Sequence, residues 1–186
     1  MSHFSITPTP LAGLVRLDRQ LLGDARGFLT RLFCAEELAA AGWDGPVAQA
    51  NHTATAQQGT VRGMHFQHPP HAEIKLVTCV RGAVWDVAVD LRAGSPTFLQ
   101  WHAEELSAQN HRSLLIPKGF AHGFQTLTDD CELIYLHSTP YAPGAEGGLR
   151  ADDPLLSIAW PLPIAQRSAR DTQHPLLQAP WKGLTL

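Results

Sequence analysis

Short runs rich in Val, Leu, Ile, Phe and Trp recur along the chain, separated by breaks that carry proline or glycine. That rhythm predicts many short strands and an all-β sandwich or barrel. The densest stretch is EIKLVTCV-RG-AVWDVAVDLR, 73 to 92, in which two apolar runs flank Arg81-Gly82. It reads as a hairpin, because the glycine tolerates the dihedrals of a tight turn. In its second run Trp85, Val87, Val89 and Leu91 fall on one face, and Asp86, Ala88 and Asp90 on the other. Further strands read at Thr60–Phe66, Ser113–Ile116, Gly123–Leu127 and Glu132–His137. Helical spacing is rare. Cys34–Ala41 (CAEELAAA) predicts a short helix ending before Gly42, and a second weak one falls within Ser168–Gln178.

Composition narrows this picture. The 186 residues suit one domain spanning 1–186, with enough chain to bury a core without staples. The Pro-rich stretch after Trp160 starts a C-terminal tail too short to hold a core of its own. A 44% hydrophobic and 17% charged content excludes global disorder. The net charge of -3 argues against nucleic acid as a partner, since that needs a basic footprint. Cys34, Cys79 and Cys131 are odd in number and widely spaced, with no CxxC, so neither a disulfide framework nor a thiolate zinc site is expected. Cys79, inside an apolar run, reads as a small buried hydrophobe. No signal-peptide pattern or membrane-length apolar run is visible, so a cytoplasmic protein without membrane partners is expected.

Candidate chemistry centres on histidine, of which there are ten. Four lie close together: His52, then His65, His68 and His71 in GMHFQHPPHAEIK. Histidine titrates near neutrality, which suits acid–base work or metal ligation, although any single histidine is more often solvated or satisfied in a core. His65 stands out because strand alternation puts Gly63 and Gln67 on its face, and Arg62 and Lys75 are near in sequence. Cations there suit an anionic ligand or a developing oxyanion. Arg62 and His65 are three positions apart, so they share a face only if Gly63 marks a bulge or Arg62 lies at a curled strand end. In IPKGFAHGF, Pro117 and Gly119 predict a tight turn, Gly123 allows close backbone approach, and His122 starts a strand. That P-x-G-x-x-H element resembles the second motif of cupin barrels, where such a histidine often binds metal. The H-x-H partner motif is absent, since Gln67 follows His65, and this weakens a metal site. In CELIYLHSTPYAP, Leu133, Tyr135 and His137 share a face, and Tyr141 follows Pro140. A strand tyrosine is more often a packing residue than an acid.

Taken together in order, these segments resemble the dTDP-4-dehydrorhamnose 3,5-epimerase family. The match also takes in GDARGFLTRLF (23 to 33), QANHTATAQQGTVRGMHFQ (49 to 67), DDPLLSIAWP (152 to 161) and SARD (168 to 171). The resemblance implies a cupin-like jelly-roll β-barrel with short peripheral helices, a homodimer, and no metal or other cofactor. It implies His65 as catalytic base, Asp171 as its partner, Lys75 at the enolate oxygen and Tyr135 as the opposing acid. It implies His122, Gln49, Asn51 and Tyr141 at the substrate, and Arg26 and Arg62 at the diphosphate of a nucleotide-linked sugar. Arg26 is expected to serve the partner subunit's site.

The chain departs from the family pattern in places. Arg31 stands where relatives usually carry Glu, which puts the nucleobase in question. Phe66 and Glu73 stand where relatives usually have Tyr and Gln. The resemblance leaves open whether both C3 and C5 or one of them is inverted. Set against this reading are a metal-dependent cupin oxygenase or isomerase, a ketosugar isomerase, and a sugar-nucleotide binding module without catalysis.

Overall fold

The structure, a computed structural model, describes residues 2–186. Its strands are β1 (Phe4–Pro8), β2 (Val15–Arg19), β3 (Leu21–Asp24), β4 (Gly27–Thr30), β5 (Gln49–Thr55), β6 (Val61–Gln67), β7 (Lys75–Arg81), β8 (Ala83–Asp90), β9 (Trp101–Ser107), β10 (Arg112–Ile116), β11 (Phe120–Thr126), β12 (Cys131–His137) and β13 (Glu146–Gly148). Two short helices, α1 (Ala35–Ala39) and α2 (Ala169–Gln173), complete it. The expected all-β jelly roll with short peripheral helices is what forms. One sheet runs β1-β2-β10-β7-β12-β5 and the other β13-β6-β11-β8-β9, all pairs antiparallel, while β3 and β4 make a separate ribbon.

The expected hairpin at Arg81-Gly82 does not form. β7 pairs with β10 and β12, and β8 pairs with β11 and β9, so the chain crosses from one sheet to the other at that turn. The Arg-Gly signal is the same for a hairpin and for a corner between sheets. Burial decides between them, because both runs are buried on both faces and both become central strands. Gly82, at φ +73, makes the corner, and a Cβ there would sit 2.6 Å from Thr128 Oγ1.

Three apolar layers explain the double-sided burial. Between the sheets lie Val77, Leu114 and Leu133 from one side and Val84, Ala88 and Phe124 from the other. Outside the first sheet, α1 packs Leu38 against Leu17, Leu76 and Leu115. Outside the second, the C-terminal tail lays Trp160, Trp181 and Leu184 over Val87, Val89 and Leu91. Each fully buried side chain of this kind contributes about 1.5–3 kcal/mol. The tail is therefore a wall of this fold, and it carries α2, capped as expected at Ser168, whose hydroxyl accepts from Asp171 N. Helix α1 falls within the expected span, with Gly42 in the left-handed region just beyond it. All three cysteines are free, and burial pushes the Cys79 thiol up to about 12, so it behaves as an inert hydrophobe.

Candidate active site

A cavity of about 290 Å³ opens between the two sheets, lined by side chains of β6 and β11 on one side and β5, β7 and β12 on the other. Its shape depends on one irregularity. His65 pairs with His122, but Arg62 pairs with Phe124, so β6 carries one residue more than β11 over that stretch. This is a β-bulge, and it turns Arg62 onto the cavity side with His65. Gly63 sits at φ +125, where a Cβ would lie 2.6 Å from Gly123 Cα. A Cβ on Gly123 would meet Met64 Sδ at 2.6 Å and Arg62 O at 2.7 Å. The two glycines let the strands approach closely enough to set the histidines side by side.

His65 Nε2 lies 2.8 Å from Asp171 Oδ1. Asp171 Oδ2 accepts from Gly63 N at 3.2 Å, which ties α2 to the bulge. Burial works to raise Asp171, but the bond and charge of His65, with help from Gly63 N–H, bring it down to about 2. An ionised carboxylate at Nε2 holds the imidazole with Nε2–H donating, leaving Nδ1 as the free basic nitrogen. The His65 side chain is 28% exposed, enough for a ligand to reach it.

His122 carries a second such pair. Its Nε2 lies 2.8 Å from both Asp86 carboxylate oxygens, and Asp86 is completely buried. Burial pushes Asp86 up, outweighing the opposing pull of His122 and Lys75. Tyr135 stands edge-on to the His122 ring, with centroids 5.8 Å apart. Burial drives its phenol well above the usual range, so it stays protonated at neutral pH. Lys75 Nζ donates to the His65 carbonyl at 3.3 Å and reaches Glu73 Oε1 at 3.1 Å.

The remaining expected residues divide sharply. Gln49 and Asn51 line the cavity from β5, bonded to each other at 3.1 Å. Tyr141 is half exposed at the mouth, its hydroxyl donating to Glu146 Oε2 at 2.9 Å and its backbone N–H to Gln49 Oε1. Arg26 is not brought to this cavity. It caps the β3–β4 ribbon, 89% exposed, and folds onto Asp24. Arg31 also turns away, pairing with Glu37 on α1. Among the described residues, no three His, Cys, Asp or Glu side chains converge to hold a metal ion.

A family profile described as dTDP-4-dehydrorhamnose 3,5-epimerase matches residues 8–179. The chain belongs to that family. A dTDP-4-dehydrorhamnose 3,5-epimerase of Sinorhizobium fredii is 44% identical over 83% of this chain and 80% of its own length. The crystal structure of a Legionella pneumophila dTDP-6-deoxy-D-glucose-3,5-epimerase, in complex with dTDP-4-keto-L-rhamnose, superposes with a TM-score of 0.88. It is 38% identical and covers 94% of this chain and 93% of its own. A 3'-monoepimerase of Streptomyces bikiniensis, in complex with dTDP-quinovose, reaches 0.84 at 37% identity, covering 91% of this chain and 86% of its own. The family thus includes similar folds that act at one carbon and at two.

Sequence reasoning passed over several groups at this epimerase-family site. Asp86 was placed on a strand face but given no role. A lone carboxylate inside the apolar run AVWDVAV is itself a signal, because a buried charge needs a partner. Arg170 lines the cavity, with Nη2 3.2 Å from His65 Nε2 and Nη1 2.8 Å from Glu146. Its place beside Asp171 in SARD was the available clue. A second hollow of about 460 Å³ adjoins the first and shares Arg62 and Arg170 with it. Arg167 lines it too, together with two buried hydroxyls, Thr55 Oγ1 and Thr60 Oγ1, that lack protein partners.

Proposed function

We propose that this chain inverts C3, C5 or both in a nucleotide-linked 4-keto-6-deoxyhexose without a cofactor, inversion at both carbons converting dTDP-4-dehydro-6-deoxy-D-glucose to dTDP-4-dehydro-L-rhamnose. As an epimerase it is an isomerase. One observation carries the reading: His65 with its carboxylate and the protonated Tyr135 reach a single cavity from opposite sheets. Inversion at carbon needs that arrangement, a base on one face of the ring and an acid on the other.

The chemistry follows from the ketone. C3 and C5 both flank C4, so loss of either proton gives an enolate with its charge on the C4 oxygen. His65 Nδ1 takes the proton, and Asp171 stabilises the imidazolium that forms. Lys75 donates to the enolate oxygen, an interaction of the kind worth about 10²–10³ in rate. Tyr135 returns a proton to the opposite face, and exchange of protons with solvent then discharges the His65 imidazolium and reprotonates Tyr135, completing a redox-neutral inversion. His122, Gln49 and Asn51 position the sugar, and Tyr141 at the mouth meets the nucleotide. Arg62 takes the diphosphate, with Arg170 and Arg167 adding charge nearby.

Arg26 belongs to the same scheme through a second copy of the chain. The ribbon it caps exposes Leu21, Leu22, Phe28 and Leu29, an apolar arm suited to a homodimer in which Arg26 reaches the partner subunit's diphosphate. A single domain is part of this proposal, supported by cores to which each sheet and the tail contribute among the described residues. Among the described residues no helix is long and apolar enough to cross a membrane, and free cysteines suit a reducing cytoplasm.

Solvent exchange tests the reading. Incubation of dTDP-4-keto-6-deoxyglucose with enzyme in D₂O will place deuterium at C3, C5 or both, and the labelled carbon reports the regiochemistry. Tyr135→Phe will impair inversion more than exchange. No label at either carbon, with dTDP- and CDP-linked substrates alike, would sink the assignment.

A further inference from the structure

We propose that His137 binds the sugar, donating its Nδ1–H to one of the sugar's hydroxyl oxygens. The inference rests on the epimerase reading above and names a contact inside the same cavity. His137 lies two positions beyond Tyr135 on β12, so both rings project from one strand face, with centroids 6.4 Å apart. Both line the cavity. The reaction uses Tyr135 and leaves His137 free.

A run of hydrogen bonds fixes which nitrogen of His137 carries the proton. It starts at the mouth with the Tyr141 backbone N–H, which can only donate, and Gln49 Oε1 accepts from it at 2.9 Å. Gln49 Nε2 is then a donor, and Asn51 Oδ1 accepts from it at 3.1 Å. That leaves Asn51 Nδ2, also a donor, facing His137 Nε2 at 3.3 Å. A ring nitrogen that accepts carries no proton, so a neutral His137 holds its proton on Nδ1. The ring is neutral: burial and the Lys75 charge bring it down to about 4, with Glu73 pulling the other way and His122 adding to the fall. Among the described residues Nδ1 has no protein acceptor, and it is not sealed from solvent. An unpaired N–H on a cavity wall is a donor left for a ligand.

The place of the ring on that wall favours the sugar over the diphosphate. His137 pairs across the ladder with Gln49 on one side and Lys75 on the other. Arg62 donates to the Ala54 carbonyl toward the other end of β5, about 16 Å from Gln49 along a strand. A neutral donor suits a hydroxyl, since Lys75 already supplies the cation for the developing oxyanion. A hydroxyl offers its lone pairs equally in the ground and transition states, so the contact acts on affinity and not on turnover.

Two substitutions isolate the donor. The amide of His137→Asn hangs from Cγ as Nδ1 does and can place an N–H there, whereas His137→Leu places a methyl group. Neither reaches the Nε2 position, so both lose the Asn51 contact and differ in the donor alone. Binding is read by calorimetry with dTDP-quinovose, which has a hydroxyl in place of the C4 ketone and cannot be enolised. His137→Leu is expected to weaken it about five- to tenfold, the size of one neutral hydrogen bond, and to leave dTDP alone within about twofold of wild type. His137→Asn is expected to stay within about twofold for both. Thermal unfolding establishes that each is folded. If His137→Leu is not, His137→Gln replaces it, since it too puts no N–H at the Nδ1 position.

The proposal is overturned if the variant without the donor binds dTDP-quinovose as tightly as wild type, if dTDP is weakened to the same degree, or if His137→Asn is as weak as His137→Leu. It is also overturned if the loss falls on kcat and not on binding. The epimerase reading fails in a different way, when wild-type enzyme labels neither carbon in D₂O or does not bind dTDP-quinovose, and the contact then falls with it.

Discussion

His65 and His122 stand opposite one another on neighbouring strands, and each is bonded to an aspartate at 2.8 Å. Their surroundings set them apart. The His65 side chain is 28% exposed and its carboxylate is held down to about 2; the His122 side chain is 8% exposed and burial pushes its carboxylate up. Asp171 is also buried, but in the first turn of its short helix it gains a histidine, a backbone N–H and a serine, and these outweigh its burial. Asp86 lies under both sheets, so its charge is costly despite the same partner type. The same residue pair thus gives the proposed base in one place and a braced wall in the other, and the exposure of the histidine with the extra donors on Asp171 makes the difference.

The largest expected effect is at the exposed pair. His65→Asn is expected to lower solvent exchange by about 10³ or more, whereas His122→Asn lowers it about tenfold and leaves it measurable. Equal losses would erase the distinction.

The carboxylates sharpen it through stability. Asp171→Asn removes a charge that the fold favours, and denaturant unfolding is expected to show a loss of roughly 2 kcal/mol at neutral pH. Asp86→Asn removes a charge that the fold resists while keeping the shape, and stability is expected to stay within about 1 kcal/mol or to rise. A larger loss at Asp86 than at Asp171 would invert the comparison.

The smallest effect is in the pH dependence. The folded value of Asp171, about 2, lies below its ordinary 3.8. Its contribution is therefore fully present above about pH 4 and fades as pH falls through about 2. Wild type is expected to lose its stability margin over Asp171→Asn across that window. A margin that stayed constant there would mean the carboxylate is not the ionised partner of His65.

Much of this contrast was legible before the fold was known, and the rest has physical reasons for being hidden. Strand alternation in VRGMHFQ put Arg62 and His65 at odds and left two ways out, a bulge at Gly63 or a curled strand end at Arg62; the extra residue lies between Arg62 and His65, which is the bulge. Alternation also placed Asp86 on the face away from Trp85 and Val87, as found, but not that this face lies between the sheets. Pairing between strands was not legible, because β7 and β8 read alike whichever neighbours they take. The polar edge strands β5 and β9 passed unnoticed, since QANHTAT and WHAEELS bury only part of their surface. Asp171 lies 106 positions from His65, a contact that no local pattern could supply and that came from the family resemblance alone. The same resemblance named Arg26, which sits on an outlying ribbon away from the cavity and enters the proposed site only through a second subunit.

The crossing at Arg81-Gly82 has a kinetic side. β7 and β8 part to different sheets, so β8 can pair with the next strand, β9, but β7 must find β10 and β12 much later in the sequence before it gains any ladder bonds. Loop closure of that kind is slow, and chains dominated by it fold over milliseconds to seconds. His65, Lys75, Tyr135 and Asp171 come from both sheets and the tail, so no early, locally built fragment can hold a working site. Activity regained during refolding should therefore trail the recovery of strand content and coincide with the docking of the last segment, the one that brings Asp171 to His65.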